Sequence, residues 1–360
     1  MINLKKNLIF AISFCMLIIL IGCSGNKSTT KSPDQIRVGT DGVVASFVPN
    51  NPPAIVHVET NVDNKIKVVL QLNNKGAYPQ PDEGTAPDGT IYLSGFDRNI
   101  LKFDPENIDL NQHALDGKST INPNGGIDFV TFDGTVLIGN LNVDTYEPTL
   151  MATTCYAYSS EAGPQVCIDP DPYSTVTQKK VCEVSSTTLS NQGAPVAVTQ
   201  IDEEALATKT QFRITIKNVG NGDVILGGSQ NKCDPYGDRR FGREDIDKVR
   251  VQSVTIGSRA LDCGPFAGQA VRNRAGDLRL VNKEGSIVCE LPRSEYGATN
   301  TAYTTPLRIR LTYYYKVTTE RKVSIKKEVG SFGGSSIGTG TSPEPTPEPQ
   351  PDNNGPTATY

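Results

Sequence analysis

Two stretches a fixed distance apart constrain this chain more than any other feature. TLMATTCYAY, residues 149–158, and PLRIRLTYYY, residues 306–315, align Leu150, Tyr156 and Tyr158 with Leu307, Tyr313 and Tyr315. The same offset carries Val166 and Ile168 onto Val323 and Ile325. Earlier, VVLQLNNKG (68–76) matches FRITIKNVG (212–220), which places Asn74 on Asn218 and Gly76 on Gly220. Side chains alternate faces along a strand, so tyrosines two residues apart share a face. We therefore expect a duplicated unit in which each copy ends in a β-hairpin. Its strands lie near 149–158 and 164–169 in the first copy, and near 306–316 and 321–327 in the second. The Asn-x-Gly after the other matched strand predicts a turn whose glycine takes positive φ.

Apolar residues make up 37% of the chain beside 33 Gly and 24 Pro, and they fall in short alternating runs rather than long amphipathic stripes. That pattern predicts an all-β protein with many turns. The strand ending in Asn-x-Gly resembles the immunoglobulin-like domains of the CARDB and fibronectin type III sort. Its repetition, with a common terminal hairpin, predicts two tandem Ig-like β-sandwich domains. Residues 36–168 form the first and 177–328 the second, whose first strand is expected near Val181 to Val184. Between them, 169–176 carries Asp169-Pro170-Asp171-Pro172, in which the prolines fix φ and make a stiff connector.

The ends read differently. Lys5 and Lys6 precede an apolar run from Leu8 to Ile21, too short for a comfortable membrane span, so residues 1–22 read as an export signal. The run ends Leu20-Ile21-Gly22-Cys23, similar to a lipobox, with Cys23 expected to carry the lipid and anchor the protein to the membrane; an ordinary signal peptide or a short signal-anchor is the other reading. Both place the rest of the chain outside the cytosol. Residues 23–35 read as a polar tether containing the sequon Asn26-Lys27-Ser28. Residues 329–360, Gly/Ser-rich and then Pro/Glu-rich, cannot bury a core and are expected to be a disordered tail without a second anchor.

The phrases GTDGVVASFVPNNPP, PTLMATTCYAY, VCIDPDPY and NQGAPVAV together resemble a family of uncharacterised, membrane-anchored archaeal surface proteins, over roughly residues 36–328. The resemblance implies fold and location. It carries no activity and no site residue.

Of eight cysteines, Cys15 lies in the signal and Cys23 at the lipobox, leaving Cys155, Cys167, Cys182, Cys233, Cys263 and Cys289 for disulfides. The duplicate alignment predicts Cys155 with Cys167 across the first terminal hairpin; Cys263–Cys289 and Cys182–Cys233 follow for the remainder. No Cys-x-x-Cys is present, and the two histidines, His57 and His113, are isolated, the first expected on a strand and the second in a loop. That disfavours structural zinc. The absence of GxSxG, HExxH and GxxxxGK[ST], with so few histidines, removes the usual nucleophile, metalloprotease and phosphate-binding chemistries, and no catalytic residue is expected. Asp169 and Asp171, joined by acidic loop residues such as Asp82, Glu83 or Asp88, could hold Ca²⁺ at the domain junction. No other cofactor is expected.

The net charge of −4 hides a split. Residues 36–176 hold 7 Lys+Arg against 18 Asp+Glu (7 − 18 = −11), and 177–328 hold 24 against 17 (24 − 17 = +7). Arg239, Arg240 and Arg243 lead a basic run continued by Arg250, Arg259, Arg272, Arg274 and Arg279, and are the candidate binding residues. Opposite charges on successive modules predict head-to-tail self-association or binding to an anionic polymer. Nucleic acid is disfavoured because no aromatics interleave with the arginines. The expected function is that of a non-enzymatic cell-surface lipoprotein presenting its modules for adhesion or envelope assembly. The alternatives are a solute-binding lipoprotein, or an extracellular hydrolase or its accessory protein. Without tryptophan, the usual sugar-stacking platform is missing.

Overall fold

The computed structural model describes residues 36–60, 62–80, 82–174, 180–296 and 301–328. The export signal, the sequon, Cys23, the tether and the C-terminal tail lie outside the described residues, as does part of the Asp-Pro connector. The fold is all-β. The first half carries β1 (Val43–Phe47), β2 (Ile55–Glu59), β3 (Lys65–Asn74), β4 (Gly89–Ser94), β5 (Leu101–Asp104), β6 (Asn107–Asp109), β7 (Ile127–Val136), β8 (Thr145–Tyr146), β9 (Thr149–Ala162) and β10 (Gln165–Ile168). The second carries β11 (Thr187–Thr188), β12 (Val196–Ala205), β13 (Lys209–Asn218), β14 (Asp223–Ile225), β15 (Lys248–Ile256), β16 (Arg259–Ala260), β17 (Asp262–Gly264), β18 (Gly276–Arg279), β19 (Glu284–Pro292), β20 (Tyr303–Lys322) and β21 (Ser324–Glu328). Val181 to Val184, expected as a strand, is irregular; its sequence Val-Cys-Glu-Val is instead held by a disulfide, described below.

A nine-stranded sheet, ordered β16-β15-β20-β9-β4-β6 with β10, β14 and β18 joined to it, runs through both halves. A four-stranded sheet, β1-β3-β7-β5, and a five-stranded sheet, β11-β12-β13-β19-β17, stack against it, and β2-β21-β8 form a small fourth sheet. One continuous core joins these layers, from Val43, Leu70 and Phe132 through Tyr156 and Tyr313 to Phe212 and Ile287. The layered arrangement is that of β-sandwiches.

The expected terminal hairpins do not form. β10 continues β9 beyond Gly163-Pro164, and both pair antiparallel with β20 without a change of register: Ala162 faces Ile309 and Gln165 faces Pro306. The Leu307 N–H donates to the Pro164 carbonyl across the break (2.9 Å). At the other end, β21 continues β20, with Val323 N donating to Pro148 O (3.1 Å) and Ile325 facing Tyr146. Residues 144–168 thus run against 303–327 as one ladder that stitches the two halves together. Gly-Pro reads as a turn, yet Gly163 is not among the positive-φ glycines, and proline's φ suits an extended chain; it only deletes one donor.

At the middle of this ladder Tyr158 faces Tyr313 and Tyr156 faces Tyr315. The four rings fill one face of the sheet, with centroids of neighbouring pairs 5.5 to 6.4 Å apart. Each hydroxyl reaches into a covering sheet in a two-fold pattern. Tyr156 accepts from the backbone of Val43 on β1, and Tyr313 from Val196 N on β12 (3.3 Å). Tyr158 donates to Asn74 Oδ1 (2.9 Å) and Tyr315 to Asn218 Oδ1 (3.2 Å). The matched asparagines close equivalent turns: Asn74 Nδ2 donates to Tyr78 O (2.7 Å) and Asn218 Nδ2 to Gly222 O (2.9 Å). The glycine of Asn-x-Gly has a different purpose from the one expected. Neither Gly76 nor Gly220 has positive φ; a Cβ would lie 2.0 Å from the Tyr158 hydroxyl in the first and 2.4 Å from that of Tyr315 in the second. Absence of a side chain admits the tyrosine.

The continuous ladder also changes the disulfides. Cys155 and Cys167 lie on one extended strand, some 40 Å apart at about 3.3 Å per residue, so they cannot bond. Cys155 instead bonds Cys233, from a second-half loop, and Cys167 bonds Cys182. The expected Cys182–Cys233 pair fails because Lys180 donates to Asp169 Oδ2 (2.5 Å), which draws this segment back to the end of β10. Cys263–Cys289 forms as expected, between directly opposed residues of β17 and β19. Non-reducing peptide mapping is expected to return these three pairs. Because the Cys155–Cys233 bridge spans 78 residues and Cys167–Cys182 spans 15, the chain-entropy model predicts that removing the first costs about 1.5 kcal/mol more than removing the second. Comparing the unfolding free energies of Cys155→Ala/Cys233→Ala and Cys167→Ala/Cys182→Ala checks this.

Candidate functional site

The sequence-predicted arginines lie on a loop of residues 226–245 that is rigid for three reasons. Cys233 is bonded to Cys155 beneath it, forming a small apolar cluster with Ile225, against which Tyr92, Phe241 and Tyr314 pack. Asp245, buried at the loop's end, accepts from Lys232 Nζ (2.5 Å), Ser229 Oγ (2.7 Å) and Gly242 N (2.7 Å). Those donors, Lys232 first, hold its carboxyl down at about 2. Tyr236 packs edge-on to Phe96 of the first half, with the Arg98 guanidinium 4.7 Å above its ring.

On this support Arg239, Arg240 and Arg243 are all exposed. Arg240 donates to Gly237 O (2.8 Å), and the Arg243 carbonyl accepts from Arg279 (2.9 Å). The rest of the basic run is mostly spent: Arg250 pairs with Asp277, Arg259 with Glu295, Arg272 with Glu290 and Arg274 with Asp262. Acidic first half and basic second half also meet inside the molecule. Arg310 pairs with Glu83 and Glu161, and Tyr314 donates to Asp88 (2.9 Å), while His57 of the first half and Glu328 of the second meet in the opposite sense. Part of the charge complementarity that suggested head-to-tail contact is therefore satisfied within one chain.

The expected Ca²⁺ constellation does not assemble. Asp169 is buried and spends one oxygen on Lys180 and the other on Asp171 N (3.0 Å), while Glu83 and Asp88 are engaged with Arg310 and Tyr314. Among the described residues no three His, Cys, Asp or Glu side chains gather to hold a metal ion. Of the histidines, His57 lies on β2, as expected for a strand; His113 lies in the loop after a short 3₁₀ turn, its Nδ1 2.8 Å from Asp128 Oδ2.

Sequence reasoning missed a polar groove of about 680 Å³ at the Gly163-Pro164 break. Arg308 and Arg310 of β20 alternate with buried Leu307, Ile309 and Leu311, and so point the same way. Thr255 and Ser253 stand opposite them on β15. Arg37 lies at the rim, pairing with Glu161 (3.6 Å) and donating to Gln80 (3.2 Å). The alternation in Leu-Arg-Ile-Arg-Leu could have signalled two arginines on one face; their neighbours on β9 and β15 are visible only once the strands are paired.

A half-buried acid lies at the junction of the halves. Glu203 of β12 accepts from Cys167 N (3.0 Å) through Oε2, and its Oε1 is buried without a hydrogen bond. Burial pushes its carboxyl up to about 7, against the opposing Cys167 N–H. A raised acid favours the folded state below the unfolded value near 4.5 and loses that advantage as pH rises through 7. We predict that Glu203→Gln, which keeps an acceptor for Cys167 N, flattens the decline in thermal stability between pH 5 and pH 8 by about 1 to 2 kcal/mol, allowing for partial exposure. Denaturant melts of both proteins across that range test it; parallel profiles would contradict it.

Compared with known protein families and with curated proteins, the chain matches none.

Proposed function

We propose that this chain is a non-enzymatic, lipid-anchored surface protein that presents Ig-like modules outside the cell for adhesion or envelope assembly. The observation that carries the reading is the arginine loop, where three exposed cations ride on a segment pinned by a disulfide, a buried carboxylate and an inter-half aromatic contact. A display surface of this kind loses little conformational entropy when it binds. Three disulfides point to an oxidising, extracytoplasmic environment. Among the described residues no helix is long and apolar enough to cross a membrane. The resemblance to archaeal surface proteins supports the same location.

The partner in this reading is an anionic surface or a second copy of the chain, and both contacts weaken as salt shortens the Debye length from about 10 Å at 0.1 M to 3 Å at 1 M. Two measurements test it. Cys23→Ala is expected to move the protein from the membrane fraction to the medium. Arg239→Glu/Arg240→Glu/Arg243→Glu is expected to weaken low-salt attachment of expressing cells to a polyanion-coated surface severalfold while leaving surface abundance unchanged. Wild-type attachment that is indifferent to salt and to these substitutions would overturn the reading.

A further inference from the structure

The groove beside Gly163-Pro164 is built by a defect in the ladder. Across β15, β20 and β9, Ser253, Arg310 and Glu161 form one cross-strand row. The next row begins Thr255, Arg308, and the unbroken register sets Gly163 opposite Arg308. In the first row the arginine meets a carboxylate. In the second it meets a residue with no side chain, so Arg308 is left exposed and makes no ion pair among the described residues. A Cβ added at Gly163 would touch nothing within 4 Å, so the space in front of Arg308 is open. Arg310 is itself incompletely satisfied: Glu161 lies 3.6 Å from its Nε, near enough for an ion pair, yet that buried nitrogen has no hydrogen bond.

We infer that this groove is a binding site for an acidic oligosaccharide, its carboxylate or sulfate held by Arg308 and its hydroxyls by Ser253, Thr255 and Asn191. Three guanidiniums face the carboxylate of Glu161 in the lining and that of Glu83, which pairs with Arg310 beside it, so the site keeps 3 − 2 = +1, the charge of the unpaired Arg308. The volume of about 680 Å³ suits a ligand larger than a simple anion. Neutral hydroxyl and carboxamide walls suit a polyhydroxylated molecule better than an apolar one. With no aromatic residue lining it, the groove selects for charge and hydrogen bonding rather than for stacking on a sugar face. The site deepens the adhesion reading by naming the class of partner, and it is separate from the arginine loop.

The test is calorimetric titration of the full, oxidised chain at low salt with four probes: an oligogalacturonate, a sulfated oligosaccharide, a neutral oligosaccharide of equal length and inorganic sulfate. At least one acidic oligosaccharide is expected to bind, at least tenfold more tightly than the neutral oligosaccharide and inorganic sulfate. Arg308→Glu should weaken binding tenfold or more. Gly163→Phe, which enters open space and should leave the melting temperature unchanged, should block the groove to the same extent. Arg239→Glu/Arg240→Glu/Arg243→Glu should retain at least half the affinity. Binding untouched by Arg308→Glu and Gly163→Phe, equal binding of sulfate or of the neutral sugar, or no binding by any probe would each overturn the site. Failure of Cys23→Ala to release the protein would instead count against the anchored-surface reading and leave this titration intact.

Discussion

Four tyrosine side chains meeting across one pair of strands set the terms for the rest of this molecule. Tyr156, Tyr158, Tyr313 and Tyr315 are too large to bury in either half alone, and their hydroxyls need partners once water is gone. Pairing residues 144–168 with 303–327 supplies both. The rings stack into one block, and the hydroxyls reach Val43, Asn74, Val196 and Asn218 in the two covering sheets. Burial holds all four phenols above their ordinary range, Tyr315 up to about 12, so they stay neutral donors and acceptors at any physiological pH. Each covering sheet is thereby bolted to a central sheet that belongs to both halves.

From that junction the peripheral features follow. The first half cannot swing on an Asp-Pro hinge, because its last strands are paired with the end of the second. Cys155 is carried away from Cys167 and offered to a second-half loop, which the bond fixes over the first half. The same ladder, where Gly163 leaves Arg308 without an opposite side chain, opens a groove that neither half would have alone.

Much of this was legible in the residues. The matched Tyr-x-Tyr and Asn-x-Gly phrases located the strands that matter and the faces they bury, and alternation of short apolar runs named the all-β class. Partner choice was not legible. A run such as Ser-Glu-Ala-Gly-Pro-Gln has the composition of a turn, and only the energy of pairing with a second strand decides that it stays extended. The disulfides depended on that decision, so a correct even count of cysteines gave one correct pair and two exchanged ones. The arginine loop could be read because its cations are adjacent in sequence. The groove could not, because Arg37, Glu161, Ser253 and Arg308 come from four separate places in the chain.

The pairing of β9 with β20 can be tested where Thr153 and Thr318 face each other, their hydroxyl oxygens 2.9 Å apart. In a Thr153→Cys/Thr318→Cys variant, oxidation followed by peptide mapping should reveal a new bond between these two positions with the three native disulfides intact. Two free thiols at 153 and 318, in a protein whose native disulfides have all formed, would show that the halves are not joined by a shared ladder.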